Sequence, residues 1–343
     1  MIRIYTICFV KNINICDVDM YMQNPFEIEV VEKDEYTIED YMDIQQKLKA
    51  ISIDELLNSM YPPKHAFYEL YDFRNRCTRG IKQNICDVEN QLLPTKELHK
   101  IGNGGDGRSC IVCCTPFSHE RSRDPQYNSR YVASQTIKES LESVGFNGYF
   151  YLRNGGFPTP KGIEMKYAGV PYCFKIFMML EAKQMGFDKV VWIDSGCYAI
   201  NNPQRLFDML EHQPTIMDCV KSHNNYDAMC FTPTIELLNH ITGCDIHSAY
   251  YIGTIVFGLN MGNEQIGDIV NEYYDMVKLG LPFLSIFPEE IVLSAIFNKP
   301  EYKSLFFEQP ECGKLQIHEN RMDRESARNR GFYFYHRDYL RLI

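Results

Sequence analysis

The chain has 343 residues, 45% of them apolar and 23% charged, which excludes a disordered polymer and leaves room for one large domain or two smaller ones. A formal net charge of −10 excludes a broad nucleic-acid footprint, because phosphates are met by clustered Lys and Arg. No apolar run approaches the roughly 18 residues of a bilayer span, and the opening MIRIYTICFVKN is too short in apolar residues for a signal peptide, so a soluble chain with no transmembrane segment is expected.

The 13 cysteines are odd in number and several lie inside apolar runs, a pattern of reduced, buried thiols in a cytoplasmic setting. The C-x-x-C within Cys110 to Cys114 lacks the second ligand pair that a zinc site needs. Residues three apart on a strand also face opposite ways, which leaves these cysteines as core residues.

In chain order, Ile2 to Val10 reads as a short β-like start. It is followed by an acidic stretch through Asp43 and short helices such as Ile53 to Met60, ended by Pro62-Pro63. No chemical motif emerges there, and residues 1–108 are expected to form an α/β N-terminal extension ahead of a larger domain over 109–343. Gly102-Asn103-Gly104-Gly105-Asp106-Gly107 reads as a linker, since a dinucleotide fingerprint must follow a strand and open a helix.

Cys110 to Phe117 has the continuous apolar character of a parallel strand buried on both faces. A helix over Asn128 to Val144, with Ile137, Leu141 and Val144 on one side, leads to a second strand, Gly148 to Arg153, completing a βαβ unit. Pro171 is placed to open a helix bearing Phe174, Phe177, Met178 and Met185, and Lys189 to Ile193 is the next strand. Asn202-Pro203 begins a further helix and Thr215 to Met217 is a short strand. Tyr250 to Asn260 follows as another strand. Asn263 caps a helix with apolar residues at Ile266, Ile269, Val270, Tyr273 and Val277, Pro288 opens one through Phe297, and Gly331 to Arg337 closes the pattern as a strand. The order implies an α/β fold, a Rossmann-type mixed sheet flanked by helices.

In such sheets ligands bind beyond the carboxyl ends of the strands, which is where Asp194 stands after Val190-Val191-Trp192-Ile193. The stretch Pro171-Tyr172-Cys173-Phe174-Lys175, the helix bearing Glu181-Ala182, and Val190 to Gly196 together resemble the core of GT-A glycosyltransferases, the nucleotide-diphospho-sugar transferase superfamily. The resemblance covers roughly residues 110 to 340. It implies transfer of a sugar from a UDP- or GDP-sugar to a hydroxyl of a glycan or glycoprotein acceptor.

In that family an Asp-x-Asp motif holds Mn²⁺ or Mg²⁺ at the diphosphate; here the second position is Gly196, so the motif is degenerate. By the resemblance, Asp194 and His336 are the metal candidates, and Thr115, Pro116, Phe117, Arg121, Lys175, Asp194, Ser195, Gly196 and Gly253 are the donor-binding candidates. Cations offer another way to neutralise the diphosphate: Lys175, Arg121, Arg123, Arg130, Lys161 and Lys166 are the residues at hand. Glu289 and Glu290 are general-base candidates, although acids at a helix start also suit the macrodipole, and Asp218 is placed to line an acceptor pocket. Two rivals remain. One is a non-catalytic relative serving as a binding or scaffold module; the other is a sugar-nucleotide nucleotidyltransferase, whose glycine-rich loop is replaced here by Ser118-His119-Glu120-Arg121.

Overall fold

The computed structural model describes residues 24–52, 55, 95–116, 128–221, 226–305 and 312–337. The expected start at Ile2 to Val10, the helix over Ile53 to Met60 apart from Glu55, and the donor candidates Phe117 and Arg121 lie outside those residues.

The architecture is the expected α/β one. Helix α1 (Ile38–Lys49) begins with a capping box in which the Thr37 side chain accepts from the Asp40 amide while the Asp40 carboxylate accepts from that of Thr37. Strand β1 (Thr95–Ile101) passes through the glycine turn into β2 (Ser109–Thr115). Helix α2 (Asn128–Ser143), β3 (Gly148–Asn154), α3 (Phe174–Gln184) and β4 (Lys189–Ile193) follow, then the short β5 (Cys197–Ala199) and α4 (Gln204–Leu210). The rest comprises β6 (Thr215–Lys221), α5 (Tyr226–Met229), α6 (Thr232–Thr242), β7 (Tyr250–Asn260), α7 (Glu264–Leu279), α8 (Pro288–Phe297), β8 (Gln316–His318), α9 (Arg324–Asn329) and β9 (Phe334–His336).

Six strands form a mixed sheet in the order β1-β3-β2-β4-β7-β6. Strands β3, β2 and β4 are parallel; β1 and β7 run against their neighbours, and β6 against β7. A small sheet, β5-β9-β8, sits beside it. The period-two alternation of each strand sorts its residues between two cores. Cys110, Val112, Cys114, Val190 and Trp192 pack with α1, α3, α6, α7 and α8, whereas Ile111, Cys113, Val191 and Ile193 pack with α2, α4 and the small sheet. Cys110 and Cys113 thus face opposite ways, as strand geometry requires. Each fully buried Ile, Leu or Phe contributes about 1.5–3 kcal/mol by leaving water. Nine described cysteines are free thiols.

Three expectations need correction. Pro171 does not open α3, because Tyr172 adopts a left-handed φ of 60° that interrupts the backbone, and the helix starts at Phe174. It also stops before Met185, which is 42% exposed rather than apolar-facing. Asp218 lies within β6 and not after it: the strand continues past an irregularity between Met217 and Asp218, where the partner jumps from Phe257 to Gly253. The closing strand shortens to Phe334–His336, since Tyr333 instead bonds across to Lys314.

The N-terminal part is joined to the sheet by a buried ion network at the end of β3. Arg153, fully buried, donates through Nη1 to both oxygens of Glu181 (3.3 and 3.2 Å) and through Nη2 to the carbonyl of Phe157 (2.6 Å) and the hydroxyl of Tyr41 in α1 (3.4 Å). Lys96 of β1 and the Tyr151 hydroxyl complete the shell of Glu181 at 2.7 and 3.0 Å. Among the described residues no helix is long and apolar enough to cross a membrane.

Candidate active site

Strand β4 delivers Trp192 to one core and Asp194 to the sheet's rim. The backbone turns immediately, with the Cys197 amide donating to the Asp194 carbonyl at 2.9 Å, while the Asp194 amide bonds Ile255 of β7, also at 2.9 Å. The Trp192 indole N–H donates to Asp194 Oδ1 at 2.8 Å. Lys175, in the first turn of α3, meets the same oxygen at 3.0 Å and Glu289 Oε1 at 2.8 Å. Its ammonium also donates to the Thr254 carbonyl (3.1 Å) and hydroxyl (3.2 Å) and lies 5.6 Å from the Trp192 ring centre.

The α8 acids, legible in sequence as ordinary helix-start residues, are turned inward and only 5% (Glu289) and 9% (Glu290) exposed. Thr254 of β7 holds both: its amide donates to Glu290 Oε1 at 3.0 Å and its hydroxyl to Glu289 Oε1 at 2.8 Å. The Tyr251 hydroxyl donates to the other oxygen of Glu290. Asp194, Lys175, Glu289 and Glu290, four sequence candidates, therefore meet in one cluster.

Three carboxyl groups face one ammonium. Burial alone would depress Lys175, but Asp194, Glu289 and Glu290 outweigh it and hold the ammonium charged well above the ordinary lysine range. Burial, reinforced by the neighbouring Glu289 charge, pushes Glu290 up to about 7. It can therefore take or give a proton near neutrality. Asp194 is 30% exposed at the rim, and the contacts to Lys175 and Trp192 both fall on its Oδ1.

The remaining candidates surround this cluster. Thr115, at the end of β2, is buried and its hydroxyl donates to Asn154 of β3; Pro116 is buried beside it. Ser195 is partly exposed and Gly196 is buried, its carbonyl accepting from the Arg337 amide at 3.0 Å. Gly253 pairs with Asp218, and a Cβ there would meet Asp218 only at 3.8 Å, so the protein itself would tolerate a side chain. Burial raises the Asp218 carboxyl above its ordinary value, against the opposing pull of Arg321. His336 pairs with Cys197 and its ring lies 4.5 Å from that of His318 on β8. Lys166 is engaged elsewhere, pairing with Glu164 and Glu27, and the Lys161 backbone is bonded to the Gln184 side chain.

The donor set does not fit a protein-held divalent ion. Asp194 Oδ1 is occupied by Lys175 and Trp192, Gly196 offers no ligand, and among the described residues no group of three His, Cys, Asp or Glu side chains could hold a metal. Sequence reading missed Thr254, Tyr251, the Trp192 indole and His318. The first two share β7 with Gly253, so the flanks of that glycine carried the signal; nothing local marked the others.

No family model matches the chain, and no curated protein matches it. Among solved structures it is similar to the bifunctional glycosyltransferase WbbM, at 12% identity and a TM-score of 0.41 over 69% of this chain and 47% of that one. Mouse xyloside xylosyltransferase 1 is another, at 10% identity and 0.38 over 67% of this chain and 97% of the other. A third is the galactosyltransferase LgtC, solved with donor and acceptor sugar analogs, at 11% identity and 0.36 over 66% and 86%. The chain thus spans less than half the length of WbbM.

Proposed function

We propose that the chain is a glycosyltransferase that moves a sugar from a UDP- or GDP-sugar to a hydroxyl of a glycan or glycoprotein. One observation carries the reading: the carboxylate at the end of β4 is joined through Lys175 to the buried Glu289, next to which the buried Glu290 titrates near neutrality. Glu290 is the general base: it takes the proton of the acceptor hydroxyl as that oxygen bonds to the anomeric carbon, while the bond from that carbon to the diphosphate breaks and the nucleoside diphosphate leaves with its electron pair. Asp194, its Oδ1 fixed by Lys175 and Trp192, offers Oδ2 to a hydroxyl of the donor. Lys175 holds Asp194 and Glu289 aligned through its two ion pairs. Thr115, Pro116 and Ser195 line the donor side, and Asp218 with Gly253 lines the acceptor side.

The test is slow hydrolysis of a panel of UDP- and GDP-sugars by the purified chain. One donor should be turned over, and Asp194→Asn should lower that rate by about 100-fold or more, as expected for a removed active-site group. Absence of both turnover and binding for every donor would sink the proposal in favour of a scaffold role.

A further inference from the structure

We propose that Arg337, assisted by Arg324, is the cationic group that meets the diphosphate of the donor, so that donor binding proceeds without a divalent ion; this rests on the sugar-nucleotide reading above. The starting point is the mismatch at Asp194, where one carboxylate oxygen is already filled by protein donors and the next acidic position is Gly196. A diphosphate at this rim would still need positive charge. The chain is acidic overall, and the cluster behind Asp194 sets three carboxyl groups against one buried ammonium.

Arg337 is fastened to the turn in question. Its amide donates to the Gly196 carbonyl at 3.0 Å, and its guanidinium carbon stands 4.6 Å from the centre of the Tyr198 ring, two residues further along. Nη2 donates to Thr136 of α2 at 3.0 Å, so the side chain reaches from β9 to the helix that follows β2. The Arg324 guanidinium lies over the same Tyr198 ring at 5.3 Å. Two guanidinium groups are thus gathered at one aromatic ring beside the turn.

The cations named above at the ends of β3 and β4 are used differently. Lys175 and Arg153 are matched to carboxylates at hydrogen-bond distance, as is Lys189 at the opposite end of β4. Among the described residues neither Arg337 nor Arg324 has a carboxylate within ion-pair distance. A guanidinium carries five N–H donors, and Thr136 takes one of those of Arg337. The remaining fork suits two phosphate oxygens, a geometry that a lysine cannot copy. The pair is therefore a ready anion seat, held in place by an aromatic ring and a threonine and adjoining the Asp194–Gly196 turn.

The experiment is calorimetric titration in EDTA with UDP, GDP, uridine, guanosine and inorganic pyrophosphate, using wild type, Arg337→Gln, Arg337→Lys and Arg324→Gln, with thermal unfolding as the folding control. The expected result is that UDP or GDP binds wild type in EDTA and about tenfold or more weakly to Arg337→Gln, the size of a lost charge-assisted bond. Arg324→Gln should lose less, Arg337→Lys should recover part of the affinity, and the nucleoside should bind all four alike. Binding of UDP or GDP that requires Mn²⁺ or Mg²⁺, or equal affinity in Arg337→Gln, overturns the proposal. If Arg337→Gln unfolds, Arg337→Lys and Arg324→Gln decide by the same comparison. If neither nucleosides nor their diphosphates bind, the sugar-nucleotide reading fails, and pyrophosphate then decides separately: weaker binding to Arg337→Gln supports the anion seat, and equal or absent binding removes it.

Discussion

On one rim of the sheet, the carboxyl ends of β3 and β4, with β2 between them, carry two buried ion networks with opposite accounts of charge. At the end of β3, Arg153 is fully buried and faces Glu181, with Lys96 alongside, and its other donors go to neutral groups, the Phe157 carbonyl and the Tyr41 hydroxyl. At the end of β4, Lys175 is just as deeply placed yet faces three acids, one of them 30% exposed at the rim. The first network is satisfied and joins α1 to the sheet. The second holds more acid than it can neutralise, so it keeps a titratable group and a partly exposed acid. Buried charge that is matched fixes a fold; buried charge left in excess is chemistry in waiting.

That contrast can be broken at three places. Arg153→Met strands the Glu181 carboxylate in the core and should lower folding stability by about 3–5 kcal/mol, measured by denaturant unfolding, with turnover per folded molecule unchanged. Equal loss of turnover and stability would erase the distinction. Glu290→Gln should lower kcat about 100-fold and remove the rise in rate through pH about 7 expected from a base with that pKa; an unaltered pH profile assigns the base elsewhere.

The same carboxyl group ties stability to pH. Its folded-state value of about 7 exceeds the ordinary 4.5, so between these the folded protein retains a proton that the unfolded chain has released. Stability should therefore fall as pH rises through that window and level off above it. Relative to wild type, Glu290→Gln should gain up to about 3 kcal/mol between pH 4 and pH 8 in urea midpoints. The smallest effect is expected at Lys96, which is half-exposed: Lys96→Met should cost under about 1 kcal/mol, because solvent screens its pair with Glu181.

Much of the second network could be read from sequence. The apolar run ending at Asp194, the cap at Asn263 and the proline opening α8 are local signals, and β4, α7 and α8 match them. That Glu289 and Glu290 face inward could not be read, because an acid at a helix start looks the same whether it faces water or a lysine more than a hundred positions earlier. The Arg153–Glu181 pair went unseen for the same reason: its meaning depends on two strands and a helix being adjacent. The α1 capping box was local and legible, yet its Thr37-x-x-Asp40 form sits in an acidic stretch that reads as featureless. Tyr172 and the irregularity at Asp218 were hidden because a non-glycine residue with positive φ and a β-bulge both run against local preference.

The Gly196 carbonyl that accepts from Arg337 has a consequence for how the protein is made. A ribosome releases the Asp194 turn early and the strand that secures it far later, after β6, β7 and all the helices between have emerged. A nascent chain halted before β9 would therefore carry every strand of the main sheet but lack the Arg337 amide that closes on Gly196.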